Sequence, residues 1–586
     1  MKRLLFGLAF AGGFAASLAA TKHLVPADVV RSELARTLSG LAGTSVALSG
    51  DADVSVFPVL KVRFRDLAVD RADGGGRLAS MRELAARLDV LPLLIGRVSV
   101  SEIALTAPSL RLDRALSLDG LAPAKAGLAA LEPLRLTVED GTLEIADPET
   151  GRRESLEGVN ASFMWPRLAS GASLETTFRW RGEPVAVALQ GIGPRALAEG
   201  TPGSATFTLT SAPLRVAFDG KGLLLDRLQL DGVLRVSAAD LGRAAAWLGR
   251  PAGSPGAFRD FSLDGRMRSL GLAATVSDAR FGLDGNSGDG VLSVRLDAPR
   301  PQLRGTLAFE SFDVGPYMAA FAGGRWRGLG LDQERLSGVD LDLRLSTSLL
   351  RAGGQEADKV AATLLAKDGR FDAEVGEASA FGGSLRLVLR GEAKPEGLRV
   401  AGRLTGADLM AGRLAAALGL PAIEDGRLAV STEGEALGAT LGGLVDAFSG
   451  RFHAEARHVV LRSADAAAVG GARVQTIAFS TPRTGRPQVF DKAVADAIVL
   501  DRVAHVHRLE ADSAALSARL TGEASLATGS LSLSGQMTMP EQAGDIRSGP
   551  PRRAVPVRIG GTLAKPVTVS TGSGAQPAIP NEWPGR

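Results

Sequence analysis

The chain has 586 residues, with Lys+Arg 67 against Asp+Glu 64, a formal net charge of +3 and no cysteine. Its basic residues are scattered instead of gathered into a stripe, which excludes the electrostatic footprint of a nucleic-acid binder, and the lack of thiols excludes disulfides and thiolate metal centres. Aromatics are few and Tyr317 is the single tyrosine, so stacking platforms for sugars or single-stranded nucleic acid are scarce as well.

Lys2 and Arg3 precede a charge-free run from Leu4 to Ala20, which Lys22, His23 and Pro26 bring to an end. Positive residues before an apolar run hold the N-terminus in the cytoplasm and send the downstream chain across the membrane. The run reaches the ~20 residues of a spanning helix when Leu24 and Val25 are included. Residues 1–25 are therefore expected to be a signal anchor built on Leu4, Leu5, Phe6, Leu8, Phe10, Phe14 and Leu18, with Ser17 and Ala19 as the small residues a cleaved signal would use. This predicts a single-pass inner-membrane protein with its bulk in the periplasm. Val30, Leu34, Leu38 and Leu41 then recur at helical spacing, so an amphipathic helix is expected over 26–43.

From Val54 onward the dominant period is two. Leu60, Val62 and Phe64 alternate with Lys61, Arg63 and Arg65; Leu134, Leu136 and Val138 with Arg135, Thr137 and Glu139; Leu292, Val294 and Leu296 with Ser293, Arg295 and Asp297. The pattern returns at Leu341, Leu343 and Leu345, at Leu385, Leu387 and Leu389, and at Leu531 and Leu533. Alternation of this kind predicts strands with one dry and one wet face, and Asp231-Gly232, Asp264-Gly265 and Asp425-Gly426 read as turns between them. The expected fold is mainly β: an N-terminal transmembrane helix, then a long, curled antiparallel β-sheet with a few short amphipathic helices. Its regions are an N-terminal β-groove over 44–235, a middle β region with helices over 236–403, a C-terminal β region over 404–570 and a disordered tail over 571–586.

Ala239-Asp240-Leu241 and Ala407-Asp408-Leu409 each lead into an alanine-rich helical stretch, and Phe312-Asp313-Val314 into GPYMAAF has the same form. The body thus reads as a repeating module, with Asp240 and Asp408 as helix N-caps. These helices, the opening anchor, the segments VSVFPVLKVRFRDLAV (Val54 to Val69) and LDVLPLLIGRVSVSEIALTAPSLRL (Leu88 to Leu112), and EDGRLAVSTEGEALGATLGGLVDAFSGRF (Glu424 to Phe452) together resemble the AsmA family of periplasmic proteins. The Phe57-Pro58 and Leu91-Pro92-Leu93-Leu94 neighbourhoods are the more specific parts of the likeness. Gly120 leads into LAPAK where that family commonly has Gly and Asn, which argues for a divergent subfamily.

No Gly-x-Ser-x-Gly elbow and no phosphate-binding Gly-x-x-x-x-Gly-Lys loop stands out. His505 and His507 share a strand face without a third ligand at suitable spacing, and His453 and His458 read as surface residues too. There remains the apolar face, which must be covered by the protein's own helices, by a second sheet or by acyl chains; periodicity does not choose among these. The resemblance favours acyl chains, because AsmA-like proteins share a groove architecture with chorein-type bridge-like lipid-transfer proteins. It implies a non-enzymatic protein, without cofactor, that binds and conducts phospholipid between inner and outer membranes in support of outer-membrane assembly. Its partners would be phospholipid acyl chains, the inner membrane and outer-membrane or envelope proteins, and the alternating leucine and valine positions would line the groove. The alternative is a non-enzymatic scaffold for outer-membrane protein assembly, acting through sheet edges with a self-filled interior. Cell fractionation checks the anchor: the chain is expected with the membranes, and recovery in the soluble periplasm with a mature N-terminus near Ala20 overturns it.

Overall fold

A computed structural model describes residues 46–55, 60–71, 77–89, 99–112, 134–146, 153–166, 171–191, 193, 196, 199–249, 258–317, 338–420, 423–461, 488–514, 516–540, 552–563 and 566–570. The expected anchor (Leu4, Leu5, Phe6, Leu8, Phe10, Phe14, Leu18), the helix over 26–43, the tail over 571–586 and the two most AsmA-like neighbourhoods lie outside them. Among the described residues no helix is long and apolar enough to cross a membrane. The chain divides into two compact units, one of residues 1–253, 258–285 and 293–297, the other of 254–257, 286–292 and 298–586.

Strands dominate both units, as the alternation requires. The first unit runs β1 (Val46–Ser55), β2 (Lys61–Arg71), β3 (Arg77–Leu88), β4 (Val100–Thr106), β5 (Ser109–Leu112), β6 (Leu134–Ala146), β7 (Arg153–Trp165), β8 (Ser173–Trp180), β9 (Glu183–Gln190), β10 (Gly203–Ser211), β11 (Arg215–Leu224), β12 (Leu228–Ala238), β13 (Phe261–Leu270) and β14 (Ala273–Leu283). Neighbours in sequence are neighbours in the ladder, except that β4 and β5 together form one broken strand between β3 and β6. β15 (Asn286–Arg295) contains a boundary between the units. The second unit continues with β16 (Gln302–Asp313), β17 (Asp340–Ala352), β18 (Gln355–Lys367), β19 (Arg370–Ala380), β20 (Gly383–Lys394), β21 (Gly397–Met410), β22 (Ile423–Gly438), β23 (Ser449–Leu461), β24 (Gln488–Leu500), β25 (Val503–Asp512), β26 (Ser517–Ser525), β27 (Leu531–Pro540), β28 (Arg552–Gly561) and β29 (Pro566–Ser570).

The ladder is mixed, which corrects the purely antiparallel expectation. β4 and β5 pair parallel to β6, and β16 pairs parallel to β17. A parallel neighbour needs a long return connection, and the chain supplies one over 113–133 and another over 314–339. Side-chain alternation is identical in the two kinds of pair, so it carries no signal that separates them.

Three short helices are complete within the described residues: α1 (Leu241–Trp247), α2 (Ala411–Ala417) and α3 (Leu441–Asp446). Asp240 is the N-cap of α1, its side chain accepting from the Arg243 amide at 2.7 Å. Asp408 is not a cap, because β21 runs on to Met410, which caps α2 without a side-chain bond. Asp408 sits instead at φ 54 in a bulge, where Arg427 Nη1 donates to its carbonyl at 3.1 Å. The third module keeps its acid, since Asp313 Oδ1 accepts from the Gly315 amide at 2.7 Å.

The Asp408 bulge belongs to a series. At Asp66, Asp140, Asp278, Lys359, Asp408 and His458 the backbone turns to positive φ inside a strand, and a neighbouring ladder shifts register there. Aspartate tolerates this left-handed conformation better than most residues. On either side the inward spacing lengthens by one residue, as in Phe64 to Leu67, Val276 to Ala279 and Gly406 to Leu409. By contrast, Asp231-Gly232, Asp264-Gly265 and Asp425-Gly426 are not turns but interior strand positions. Gly232 stands opposite Gly220, and a Cβ at either would clash with the partner's backbone, so the pair allows a close approach. The tight hairpins instead use positive φ at Arg181-Gly182, Asp284-Gly285, Gly353-Gly354 and Asp368-Gly369, as two-residue turns demand.

Hydrogen exchange tests the two module acids. Asp240→Ala should cost about 1 kcal/mol of α1 stability and speed exchange at the Arg243 amide, whereas Asp408→Ala should leave the first turn of α2 unchanged.

Candidate functional site

Register turns the separate alternations into continuous apolar rows. In the first unit one row runs Phe64, Leu84, Leu105, Val138, Ala161, Thr176, Val187, Leu209, Val216, Val236, Leu263, Phe281. In the second a row runs Leu307, Leu345, Ala362, Val375, Leu387, Leu404, Thr432, Phe452, Ala497, Val506, Gly522, Leu533, Ile559. Each row crosses its strands at right angles, about 4.8 Å per step, so the apolar strip is many times longer than any single strand's contribution.

Burial along these rows is uneven. Around β2–β4 the first unit is closed: Val62, Phe64 and Ala86 are 0 % exposed, and Leu224 at the end of β11 joins their cluster, as do Trp165 and Ala172. The cluster therefore runs from strand to strand along the dry face of this unit. A second cluster in the same unit gathers Phe218, Met267, Val276 and Ala279. In the second unit β23–β28 are closed over Phe490, Leu520, Met537 and Val557. Over β16–β22 the inward side chains of the central rows, Leu307, Leu343, Leu345, Leu364, Val375, Leu387 and Leu404, are half-buried, whereas Val360, Ala378, Leu398, Leu409 and Ala436 are buried. Glycines there receive their neighbours' side chains, Phe371 lying across Gly391, and Leu292 and Leu343 leaning over Gly305 from opposite sides.

The residues singled out from sequence fall into three groups. Leu60, Val62, Phe64, Leu134 and Leu533 are buried in closed clusters. Leu136, Val138, Leu292, Val294, Leu341, Leu343, Leu345, Leu385, Leu387, Leu389 and Leu531 are half-buried, and in the second unit those of β17 and β20 lie on one face. Leu296 lies beyond the end of β15 and is exposed. The β16–β22 floor also takes in Leu303 and Leu307, Leu364, Phe371 and Val375, Val400 and Leu404, and Val430, which single-strand reading passed over. Their segments are diluted by Ala and Gly, and the signal that collects them is cross-strand register.

The opposite face is wet and charged. Arg403 pairs with Glu433 at 2.9 Å, Arg390 with Asp372 at 3.2 Å and Arg370 with Glu392 at 3.2 Å, each across neighbouring strands. Hydrogen bonds from Lys394 and Arg370 hold the Glu392 carboxyl below the usual carboxylate range, and Lys492 does the same for Glu455. Exposed pairs of this kind are worth little individually, but they mark the solvated side. The histidines join it: His453 Nδ1 lies 2.6 Å from Asp496 and His505 Nδ1 3.1 Å from Glu523. Among the described residues no group of three metal-ligating side chains forms. Comparison with protein-family models, with curated proteins and with solved structures finds no match to the chain.

The uneven burial makes a direct prediction. Met537→Glu places an unpaired carboxylate in a closed cluster, which costs several kcal/mol, and limited proteolysis should then cut within β23–β28. The same change at Leu387, where water reaches the face, should leave the ladder resistant.

Proposed function

We propose that this is a non-enzymatic, AsmA-like periplasmic protein, anchored in the inner membrane, that binds phospholipid by its acyl chains and moves it between inner and outer membranes. The half-buried apolar floor of β16–β22 carries the reading. It spans about 30 Å at ~4.8 Å per strand, while the hydrocarbon depth of one bilayer leaflet is ~15 Å, so extended acyl chains fit along it. Leu345, Val375, Leu387 and Leu404 offer methyl groups without a hydrogen-bond donor among them, which suits a lipid tail and would leave the backbone of a bound peptide unsatisfied. The charged groups lie on the other side of the sheet, so headgroups would remain at the open margin in water. The mechanism is passive on this reading, with function spread over many side chains and no catalytic residue.

Phospholipid extracted from the purified chain and identified by mass spectrometry tests this directly. Leu343→Glu with Leu387→Glu puts charge on the floor and should lower the co-purifying phospholipid about tenfold or more while the ladder stays protease-resistant. Arg344→Glu, on the wet face, should change the lipid content little. If the leucine variants melt instead, the floor is a filled core and the scaffold reading takes over; if lipid persists in them, the face is wrongly assigned.

A further inference from the structure

In the second unit the apolar face gains cover toward its later strands, and two observations mark the gain. Phe448, between α3 and β23, lays its ring on the inward side of the sheet: a Cβ at Gly434 would stand 2.7 Å from Phe448 Cζ, and one at Gly450 3.0 Å from the same atom. Gly434 and Gly450 are register partners, with Gly402 next in the row, so the ring occupies a slot that side chains would fill. α3 lies against the same face, since a Cβ at Gly438 would meet the Leu444 nitrogen at 2.5 Å. Thr440 Oγ1 caps that helix by accepting from the Gly443 amide at 3.0 Å, and Asp446 pairs with Arg502 of the β24–β25 turn at 3.4 Å. The second observation lies beyond: Phe490, Leu520, Leu533, Met537 and Val557 are 5 % exposed or less.

We infer that the trough of the second unit is dead-ended. Acyl chains lie over β16–β22, Phe448 and α3 form the stop, and lipid enters and leaves through the open long side, never past the terminal strand β29. The inference rests on the lipid reading of the β16–β22 floor. Its physical ground is that a tail advancing beyond β22 would displace a seated aromatic and open a cluster already closed on itself. It would gain no apolar contact that the protein does not already make there.

The test uses the full chain and vesicles of phosphatidylethanolamine and phosphatidylglycerol doped with a phospholipid carrying a diazirine on its acyl chain. After irradiation and digestion, labelled peptides are mapped by mass spectrometry. The native chain should carry label in β16–β22 and at least tenfold less in β24–β28. Phe448→Ala should extend the label to Gly450 of β23 and Val499 of β24, the next positions in the row the ring covers, and Phe448→Leu should hold the boundary. Equal label in β17–β20 and β25–β28 of the native chain overturns the dead end and leaves the lipid reading standing. A boundary unmoved by Phe448→Ala overturns the assignment of the stop. No label in β16–β22 overturns the lipid reading and the dead end with it.

Discussion

Backbone pairing commits successive side chains to opposite faces of a ladder, and the rest of this molecule depends on that commitment being kept from strand to strand. A single alternating strand has a dry side only as long as itself. Once Leu345 stands beside Ala362, Ala362 beside Val375 and Val375 beside Leu387, the dry side becomes a strip running across the strands. The same register carries Arg403 to Glu433 and Asp372 to Arg390 on the reverse, so charge is paired without being buried. One geometric rule thus produces both faces.

The apolar strip is not treated alike along its length. Where Val62, Phe64, Ala86 and Met537 are wholly buried, and Val557 nearly so, each large side chain contributes ~1.5–3 kcal/mol and the cluster supports itself. Over β16–β22 much of that contribution is left unrealised, because Leu343 and Leu387 retain contact with water. A protein can sustain such a stretch when closed clusters elsewhere in the same unit hold the ladder, and an apolar ligand would recover what the fold forgoes.

Much of the fold was legible in the sequence because period two is a strong and local signal. Strand existence, the dry and wet faces, and the Asp240 cap could all be read from a few adjacent residues. What failed was non-local or depended on one residue's backbone. The parallel pairs at β4–β6 and β16–β17 leave no trace in alternation, and Asp231-Gly232 looks like a turn although Gly220, a dozen positions away, is what makes that glycine necessary. Asp408 matched Asp240 in its neighbours, yet β21 simply runs two residues further before its helix begins. The candidate floor was half visible: its leucine-rich strands stood out, whereas Phe371, Val400 and Gly434 gain meaning only from their partners. Nothing in a linear reading could separate the closed clusters from the open stretch, since both are written in the same alternation.

The in-strand residues with positive φ have a consequence for how this chain can change over time. Each of Asp66, Asp140, Asp278, Lys359, Asp408 and His458 adds one position to a strand, after which the alternation resumes out of step with the residues before it. They act as phase marks, in the way a reading frame has marks. Losing Asp278 alone would leave Ala279 two positions after Val276, so plain alternation would keep Ala279 and Phe281 on the dry face, whereas losing Arg280 would send Phe281 to the wet one. Removing two neighbouring residues elsewhere in a strand would keep the phase. Drift in strand length should therefore proceed by pairs in regular stretches and by single residues only at these six positions, where the odd residue can come and go without inverting a face.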